Sequence, residues 1–161
     1  IIDVINSKYF IDKNLEWWFV GEGNLSNEIK QLEKKQSNIK YFGKISSQSE
    51  LAAIYKQSDI LLLPSIPSKK WEELFGIVLI EAMACGVVPI STSNVGPKTI
   101  INHSYNGYLY DYSDTDKLKE YIELLLNEQL KLEELSTNAV KTVLEIYTDE
   151  INAEIWKTVL Y

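Results

Sequence analysis

Short apolar runs alternate with longer amphipathic stretches over most of the chain. The apolar runs have the length and the flanking turn residues of strands. The run after Asp59 is apolar at every position, as in a strand that is buried on both faces. The predicted strands are Leu15–Val20, Ile39–Phe42, Asp59–Leu63, Val87–Ser91 and Gly107–Tyr110. Strands that alternate with helices predict an α/β fold, with a Rossmann-like parallel sheet flanked by helices.

The stretches between the strands have helical periodicity. Leu25–Lys35 is amphipathic, with Asn24 or Ser26 as a candidate N-cap. Ile77–Ala84 is apolar on nearly every side, and Gly86 fits the end of such a helix. The predicted helices are Ile1–Ile11, Leu25–Lys35, Ser49–Gln57, Ile77–Ala84, Thr115–Asn127, Leu130–Tyr147 and Thr148–Leu160. Because no internal repeat or composition break interrupts this order, residues 1–161 are expected to form one domain.

Two carboxylates flank the start of the most apolar predicted helix. Glu73 lies in the preceding loop, and Glu81 lies inside the helix, where an unpaired carboxylate is costly. The free N–H groups of Phe75, Gly76 and Ile77 would form an anion site at the helix N-terminus. Carboxylates accept hydrogen bonds from hydroxyls and repel phosphate. The segment therefore predicts a site for a ligand with hydroxyls at both ends and phosphate between them; the alternative is two solvated glutamates.

Composition excludes several classes of protein. A net charge of -7 argues against a nucleic-acid or anionic-membrane binder. A lone cysteine excludes an internal disulfide and suits a reducing cytosol. There is neither a signal-peptide pattern nor an apolar run of about 18 residues, so membrane association is not encoded in this segment. All 16 basic residues are lysines, so a phosphate must be met by lysine, by backbone N–H groups or by residues outside this chain.

The glutamate pair, followed by Ala-Met-Ala-Cys-Gly, resembles the Glu-x7-Glu motif of the family-four retaining glycosyltransferases, which are glycosyl transferase group 1 proteins with the two-domain GT-B fold. Further landmarks stand in the family's order, at Phe19–Gly23, Tyr41–Ile45, Asp59–Ser65 and Asn106–Leu109. The resemblance covers nearly the whole chain. It implies the C-terminal, nucleotide-sugar-binding half of a longer enzyme.

The resemblance implies metal-independent, retaining transfer of a hexosyl group from a nucleotide diphosphate sugar to an acceptor hydroxyl, with no cofactor. Glu73, the implied catalytic-site residue, would bind the donor sugar and place its anomeric carbon. Phe75, Gly76 and Ile77 would offer N–H groups to sugar and diphosphate, and Glu81 would bind the ribose hydroxyls.

The same resemblance places the nucleotide base at the end of a second strand. Gly43, Lys44 and Ile45 would line the base pocket, where ligands of open α/β sheets bind. Gly21 and Gly23 would let the chain pass close to that pocket.

Some segments depart from the family pattern. Leu74 stands where the family usually has glycine, and Ser93–Thr99 replaces a Gly-Gly-x-x-Glu pattern without its glutamate. Lys98 in that segment is a candidate phosphate contact, although a solvated lysine is about as common. His103, the single histidine, is expected at the surface. Tyr108, Tyr110 and Tyr112 alternate at strand spacing, which favours packing over ligand stacking.

The chain opens in a predicted helix with no strand before it. The resemblance therefore implies that the first strand of the domain is lacking, or is supplied by another segment or subunit. A sugar, lipid or glycan acceptor would bind through the missing N-terminal domain, so the isolated chain would bind its donor without turnover. The expected setting is polysaccharide biosynthesis in the cytoplasm, with the full-length enzyme peripheral on the inner membrane face.

Two other classes of function fit the sequence less well. One is a nucleotide-binding module without chemistry, and the other is a nucleotide-sugar epimerase or hydrolase of the same architecture. An epimerase is expected to carry further acid–base residues, of which the sequence shows no obvious set. A dinucleotide dehydrogenase is disfavoured, because no Gly-x-Gly-x-x-Gly opens a helix with an acidic partner about 20 residues on.

Overall fold

The computed structural model describes residues 15–67 and 74–148. The chain divides into two compact units, residues 1–53 and residues 54–161. In the part of the chain that the structure describes, no helix is long and apolar enough to cross a membrane.

The first unit contains a parallel β–α–β arrangement. Strand β1 (Trp17–Val20) pairs with β2 (Ile39–Gly43), with Trp17 opposite Ile39, and helix α1 (Ser26–Lys35) contacts β2. The predicted cap of α1 is wrong, because the helix begins after Leu25 and no side chain caps it. Ser26 Oγ instead accepts a 2.9 Å hydrogen bond from the Gly23 N–H. Helix α2 (Gln48–Tyr55) spans the boundary between the two units.

The second unit is a three-stranded parallel sheet, in the order β3–β4–β5. Its members, in chain order, are β3 (Ile60–Leu63), α3 (Ile77–Ala84), β4 (Val88–Thr92), α4 (Val95–Ile100), β5 (Tyr108–Tyr110), α5 (Thr115–Asn127) and α6 (Gln129–Ile146). All five residues of β4 are buried, as expected for a central strand.

The core of the second unit lies between α3, α6 and the sheet. Leu79 and Met83 of α3 are fully buried and share one cluster with Ala139 and Val143 of α6. Burial of each such apolar side chain contributes about 1.5–3 kcal/mol, so packing, rather than helix propensity, holds the eight-residue α3 in place. The helix ends in a Schellman motif, since the Gly86 N–H donates to Met83 O and the Val87 N–H donates to Ala82 O.

Within the described residues, the predicted strands and helices agree with the structure, which adds one helix that was not predicted. The bounds of α3 and α5 are as predicted, and the predicted strands begin and end within two residues of the observed ones. Helix α4 was not predicted, because Val-Gly-Pro reads as a turn. Tyr108 and Tyr110 are buried as expected, whereas the packing expected for Tyr112 is wrong, because it is 48% exposed. The predicted helix Ile1–Ile11, and all but the first residue of the predicted helix 148–160, lie outside the described residues.

Candidate functional site

Backbone donors are open at the start of α3. Gly76 precedes the helix with φ 80° and ψ 48°, a left-handed conformation that favours glycine. Its carbonyl accepts from the Leu79 N–H at 2.9 Å. Within the described ranges, the N–H groups of Phe75, Gly76 and Ile77 donate to no other group. With the helix dipole behind them, these three donors can hold an anion.

Glu81 lies in the middle of α3, as predicted, and is half-buried. No cation pairs with its carboxylate in residues 15–67 and 74–148, so its oxygens are available to hydroxyl donors. The negative charge of Glu81 affects the pKa of Tyr55, a buried residue of α2. Burial raises the pKa of Tyr55 to about 12, and the charges of Glu81 and then Cys85 act in the same direction. Cys85 is half-buried.

Glu73, the predicted sugar-binding and catalytic residue, lies outside the described residues, as does the rest of segment 68–73. Its role stays a prediction. The described ends of this segment carry large apolar side chains that face solvent. Ile66 is 66% exposed, Leu74 71%, Phe75 55% and Ile77 58%.

Helix α4 supplies a contact that the sequence reading missed. A Cβ placed on Gly96 would lie 2.5 Å from Phe75 N and 2.7 Å from the carbonyl carbon of Leu74. The backbone at the start of α4 therefore packs directly against the backbone of the Leu74–Gly76 loop. Only glycine allows this approach, and the Gly-Pro pair shortly after β4 is the sequence signal that could have suggested it.

A buried hydrogen-bond cluster joins the two strand ends beside this contact. Thr92 Oγ1 donates to Ser65 O at 2.8 Å, and Asn94 Nδ2 donates to the same carbonyl at 3.0 Å. Asn94 Nδ2 also donates to Thr92 Oγ1 at 3.2 Å. The cluster ties the loop after β3 to the loop after β4.

Lys98 lies exposed on α4. Hydrogen bonds from Ser113 lower the pKa of the Asp111 carboxyl, and the positive charge of Lys98 lowers it further. Lys98 therefore lies in the field of a carboxylate at the end of β5, and its contact with a phosphate stays a prediction.

The predicted base-site residues all belong to the first unit, where the structure brings two of them together. The Gly21 N–H donates to Gly43 O at 2.7 Å, and both glycines have positive φ, at 124° and 66°. Lys44 and Ile45 follow directly, the lysine exposed and the isoleucine half-buried. A Cβ on Gly21, Gly23 or Gly43 would meet nothing within 4 Å of the described chain, and the role expected for Gly21 and Gly23 beside a base pocket stays a prediction. Nothing in the structure explains the glycine at position 23.

An open concavity lies in the described part of each unit. A groove of about 300 Å³ in the first unit is lined by the loop from Gly21 to Ser26 and by Tyr41, whose hydroxyl donates to Gly21 O at 2.9 Å. A polar groove of about 420 Å³ in the second unit lies between Asp59, Gly86 and the first turns of α6. The second groove is larger, but it lies at the amino ends of β3 and β4. Ligands of open parallel sheets bind at the carboxyl ends, so the start of α3 is the better candidate site.

In residues 15–67 and 74–148, no three histidine, cysteine, aspartate or glutamate side chains come close enough to hold a metal ion. The described groups of the candidate site are the backbone donors at the start of α3 and the carboxylate of Glu81.

Comparisons with known proteins agree with this architecture. Residues 5–142 match the family model described as glycosyl transferases group 1. The chain is 34% identical over 146 residues to an N-acetyl-alpha-D-glucosaminyl L-malate synthase of Bacillus anthracis, covering 88% of this chain and 36% of that protein. The chain thus spans about a third of the length of this curated relative.

Two solved structures share the fold. A mutant of S. aureus TarM, in complex with fondaparinux, alpha-GlcNAc-glycerol and UDP, superposes with a TM-score of 0.77 at 20% identity, over 98% of this chain and 32% of that one. The C-terminal domain of a glycosyl transferase group 1 family protein from Francisella tularensis superposes with a TM-score of 0.62 at 17% identity, over 88% of this chain and 92% of that domain. The chain belongs to the glycosyl transferases group 1 family, and its parallel sheets flanked by helices have the Rossmann-like architecture of GT-B glycosyltransferases.

Proposed function

We propose that this chain is the donor-binding domain of a retaining, metal-independent hexosyltransferase that takes its sugar from a nucleotide diphosphate. One observation carries the proposal: among the described residues, α3 has three N–H groups without a partner at its start and a carboxylate without a paired cation farther along the same helix. Glu81 lies about 7 Å along the axis from Gly76, since each helical residue rises by about 1.5 Å. This spacing suits a ligand with phosphate at one point and vicinal hydroxyls farther along.

In the transfer, the bond between the anomeric carbon and the diphosphate oxygen breaks, and a bond from that carbon to the acceptor oxygen forms. Negative charge grows on the departing diphosphate, whose oxygen takes up the proton that the acceptor hydroxyl loses. The N–H groups of Phe75, Gly76 and Ile77 stabilise that charge, an effect of about 2.7–4 kcal/mol for one donor in enzymes with comparable donors. Glu81 accepts hydrogen bonds from the ribose hydroxyls. Glu73 binds the sugar hydroxyls and places the anomeric carbon.

Uridine is the base to test first. The name of the Bacillus anthracis relative specifies an N-acetyl-alpha-D-glucosaminyl product, and the TarM structure holds UDP and alpha-GlcNAc-glycerol. These names support UDP-N-acetylglucosamine as the first candidate donor here. Gly43, Lys44 and Ile45 are proposed to contact the base.

The acceptor, a sugar, lipid or glycan, is proposed to bind to a part of the enzyme outside this chain. The isolated chain would then bind its donor without turnover. Polysaccharide biosynthesis in the cytoplasm is the proposed setting.

A calorimetric titration tests the nucleotide site. Glu81→Ala is expected to weaken UDP binding about tenfold, which corresponds to about 1.4 kcal/mol. Glu145→Ala is the control, because it removes an equal charge from an exposed site on α6. Glu73→Ala should leave UDP affinity unchanged and reduce only the additional affinity of UDP-N-acetylglucosamine over UDP.

Two results would contradict the proposal. Equal UDP affinity for wild type and Glu81→Ala would refute the ribose assignment. Absence of binding across uridine, guanosine and adenosine diphosphates and their sugars, in a thermal-shift panel, would refute the donor-domain proposal as a whole.

A further inference from the structure

Asn94 is buried directly before α4, and its side chain turns away from the helix that it precedes. It is 5% exposed and has an extended backbone, with φ -75° and ψ 172°. Asparagine at this position commonly caps the helix with its side-chain oxygen, but here no such cap forms. The amide nitrogen instead donates back to Ser65 O and Thr92 Oγ1. A buried amide that makes no cap but binds the neighbouring loop points to a role in that loop.

Asn94 is linked to both described ends of the long connection between β3 and α3, to one by a hydrogen bond and to the other through the start of α4. At one end, Ser65 O is held by both Asn94 and Thr92. At the other end, the backbone of Leu74 and Phe75 rests against Gly96, two residues after Asn94. Because α4 starts at Val95, a shift of Asn94 would also move Gly96. The backbone contact of Gly96 with the Leu74–Gly76 loop, which carries the proposed phosphate-binding N–H groups, would then change.

We infer that Asn94 is a positioning residue that holds the open N–H groups of Phe75 and Gly76 in place for the diphosphate of the nucleotide. The inference rests on the proposed function, since it assumes that these donors meet the ligand. Asn94 itself touches no reacting atom. It acts through the Ser65 carbonyl and through the start of α4.

The chain provides a matched control for this residue. Asn106 is 1% exposed, and its Nδ2 also donates to one backbone carbonyl and one threonine hydroxyl, namely Ile100 O at 3.2 Å and Thr142 Oγ1 at 3.0 Å. Its Oδ1 accepts from the Asn102 N–H at 2.8 Å. Asn106 therefore holds the end of α4 that is farther from Gly96, and none of these bonds reaches the Leu74–Gly76 loop.

The test compares Asn94→Ala with Asn106→Ala in the full chain, at a temperature well below both unfolding midpoints. Both variants should unfold at lower temperature than wild type. Asn94→Ala should lose about tenfold in UDP affinity by calorimetry, whereas Asn106→Ala should stay within about twofold of wild type. An equal loss of affinity in both variants would overturn the inference and leave Asn94 with a structural role only.

A second readout does not depend on binding. In ligand-free protein, the backbone amide NMR signals of Phe75 and Gly76 should move in Asn94→Ala and stay fixed in Asn106→Ala. If Asn94→Ala does not fold, Thr92→Val against Thr142→Val replaces the pair, because each removes one buried hydroxyl. Unchanged Phe75 and Gly76 signals in the variant at position 94 or 92 would refute the inference even if the wild type bound UDP. Moved signals in a protein that binds no nucleoside diphosphate would refute the proposed function alone.

Discussion

The carboxyl and amino ends of the β3–β4–β5 sheet contain similar contacts, which have different consequences at the two ends. Each end has a buried asparagine bonded to a carbonyl and a threonine hydroxyl, Asn94 at one and Asn106 at the other. Each also has a glycine against a neighbouring backbone. Gly96 meets Phe75, and a Cβ on Gly107 would lie 2.6 Å from Pro89 O.

The difference between the two ends lies in what the parts support. At the amino end, Asn106 and Gly107 contact residues of α4, α6 and β4, so these contacts only hold secondary-structure elements together. At the carboxyl end, the contacts lead to a loop whose N–H groups have no partner within the described chain. A buried polar cluster can therefore stabilise a fold or support a binding site. The difference depends on whether the loop that it contacts has N–H groups without a partner.

The largest expected effect comes from the two glycines. Gly96→Ala and Gly107→Ala each force a methyl group against backbone atoms, and overpacking of this kind costs about 1–3 kcal/mol. Both variants should unfold at lower denaturant concentration in a urea titration. Only Gly96→Ala should also weaken UDP binding, since only it displaces Phe75.

In the urea titration, Gly23→Ala is the control for both glycine variants, because a Cβ there would meet nothing within 4 Å. Loss of UDP affinity in Gly107→Ala comparable to that in Gly96→Ala would remove the distinction between the two ends.

A smaller effect separates the two tyrosines of β5 at high pH. Burial raises the pKa of Tyr110 to about 12 from an ordinary value of 10.0. Burial also raises the pKa of Tyr108, but Lys131 opposes the increase. A phenol whose pKa is higher in the folded state stabilises the fold fully below the unfolded pKa, and this stabilisation is lost as pH rises towards the folded pKa. One pH unit above the unfolded pKa of Tyr110, ionisation of this residue should therefore lower the free energy of unfolding by about 1.4 kcal/mol.

Urea titrations between about pH 9 and 11 measure this loss. Tyr110→Phe should flatten the decline in unfolding free energy more than Tyr108→Phe. The opposite order would show that the Tyr108 phenol is shielded from water more strongly than the Tyr110 phenol.

The smallest expected effect concerns exposed leucines at the two ends. Leu74 is 71% exposed beside the candidate site, and Leu130 is 82% exposed at the start of α6. Leu74→Ser and Leu130→Ser should each change the unfolding free energy by less than about 0.5 kcal/mol, because neither side chain is buried. A loss above about 1 kcal/mol at one of them, measured by urea titration, would show that this leucine is covered in the folded protein.

The sequence predicted the parts of the site that depend on local order. An apolar run bounded by Gly76 and Gly86 predicted α3 with its observed ends, because those positions take left-handed conformations at φ 80° and 82° that favour glycine. The same run placed Glu81 inside the helix and the open N–H groups at its start. Glu73, Lys98 and the base-site residues stay predictions, and their roles depend on a ligand.

The parts that could not be predicted depend on contacts between distant segments. Helix α4 contains glycine and proline, which local propensity disfavours, and it forms because its ends are held by neighbouring loops. The cap predicted for α1 failed because Ser26 Oγ bonds to Gly23 N instead.

By itself the sequence determined the succession of strands and helices and the parallel α/β architecture, because hydrophobic periodicity and turn residues act over a few positions. The family came from the resemblance of the Glu73–Gly86 motif. Only the tertiary structure decided that Asn94, Gly96 and Phe75 meet at one strand end. Their contacts join residues about 20 or more positions apart, so they depend on the packing of backbone against backbone, which no local pattern encodes.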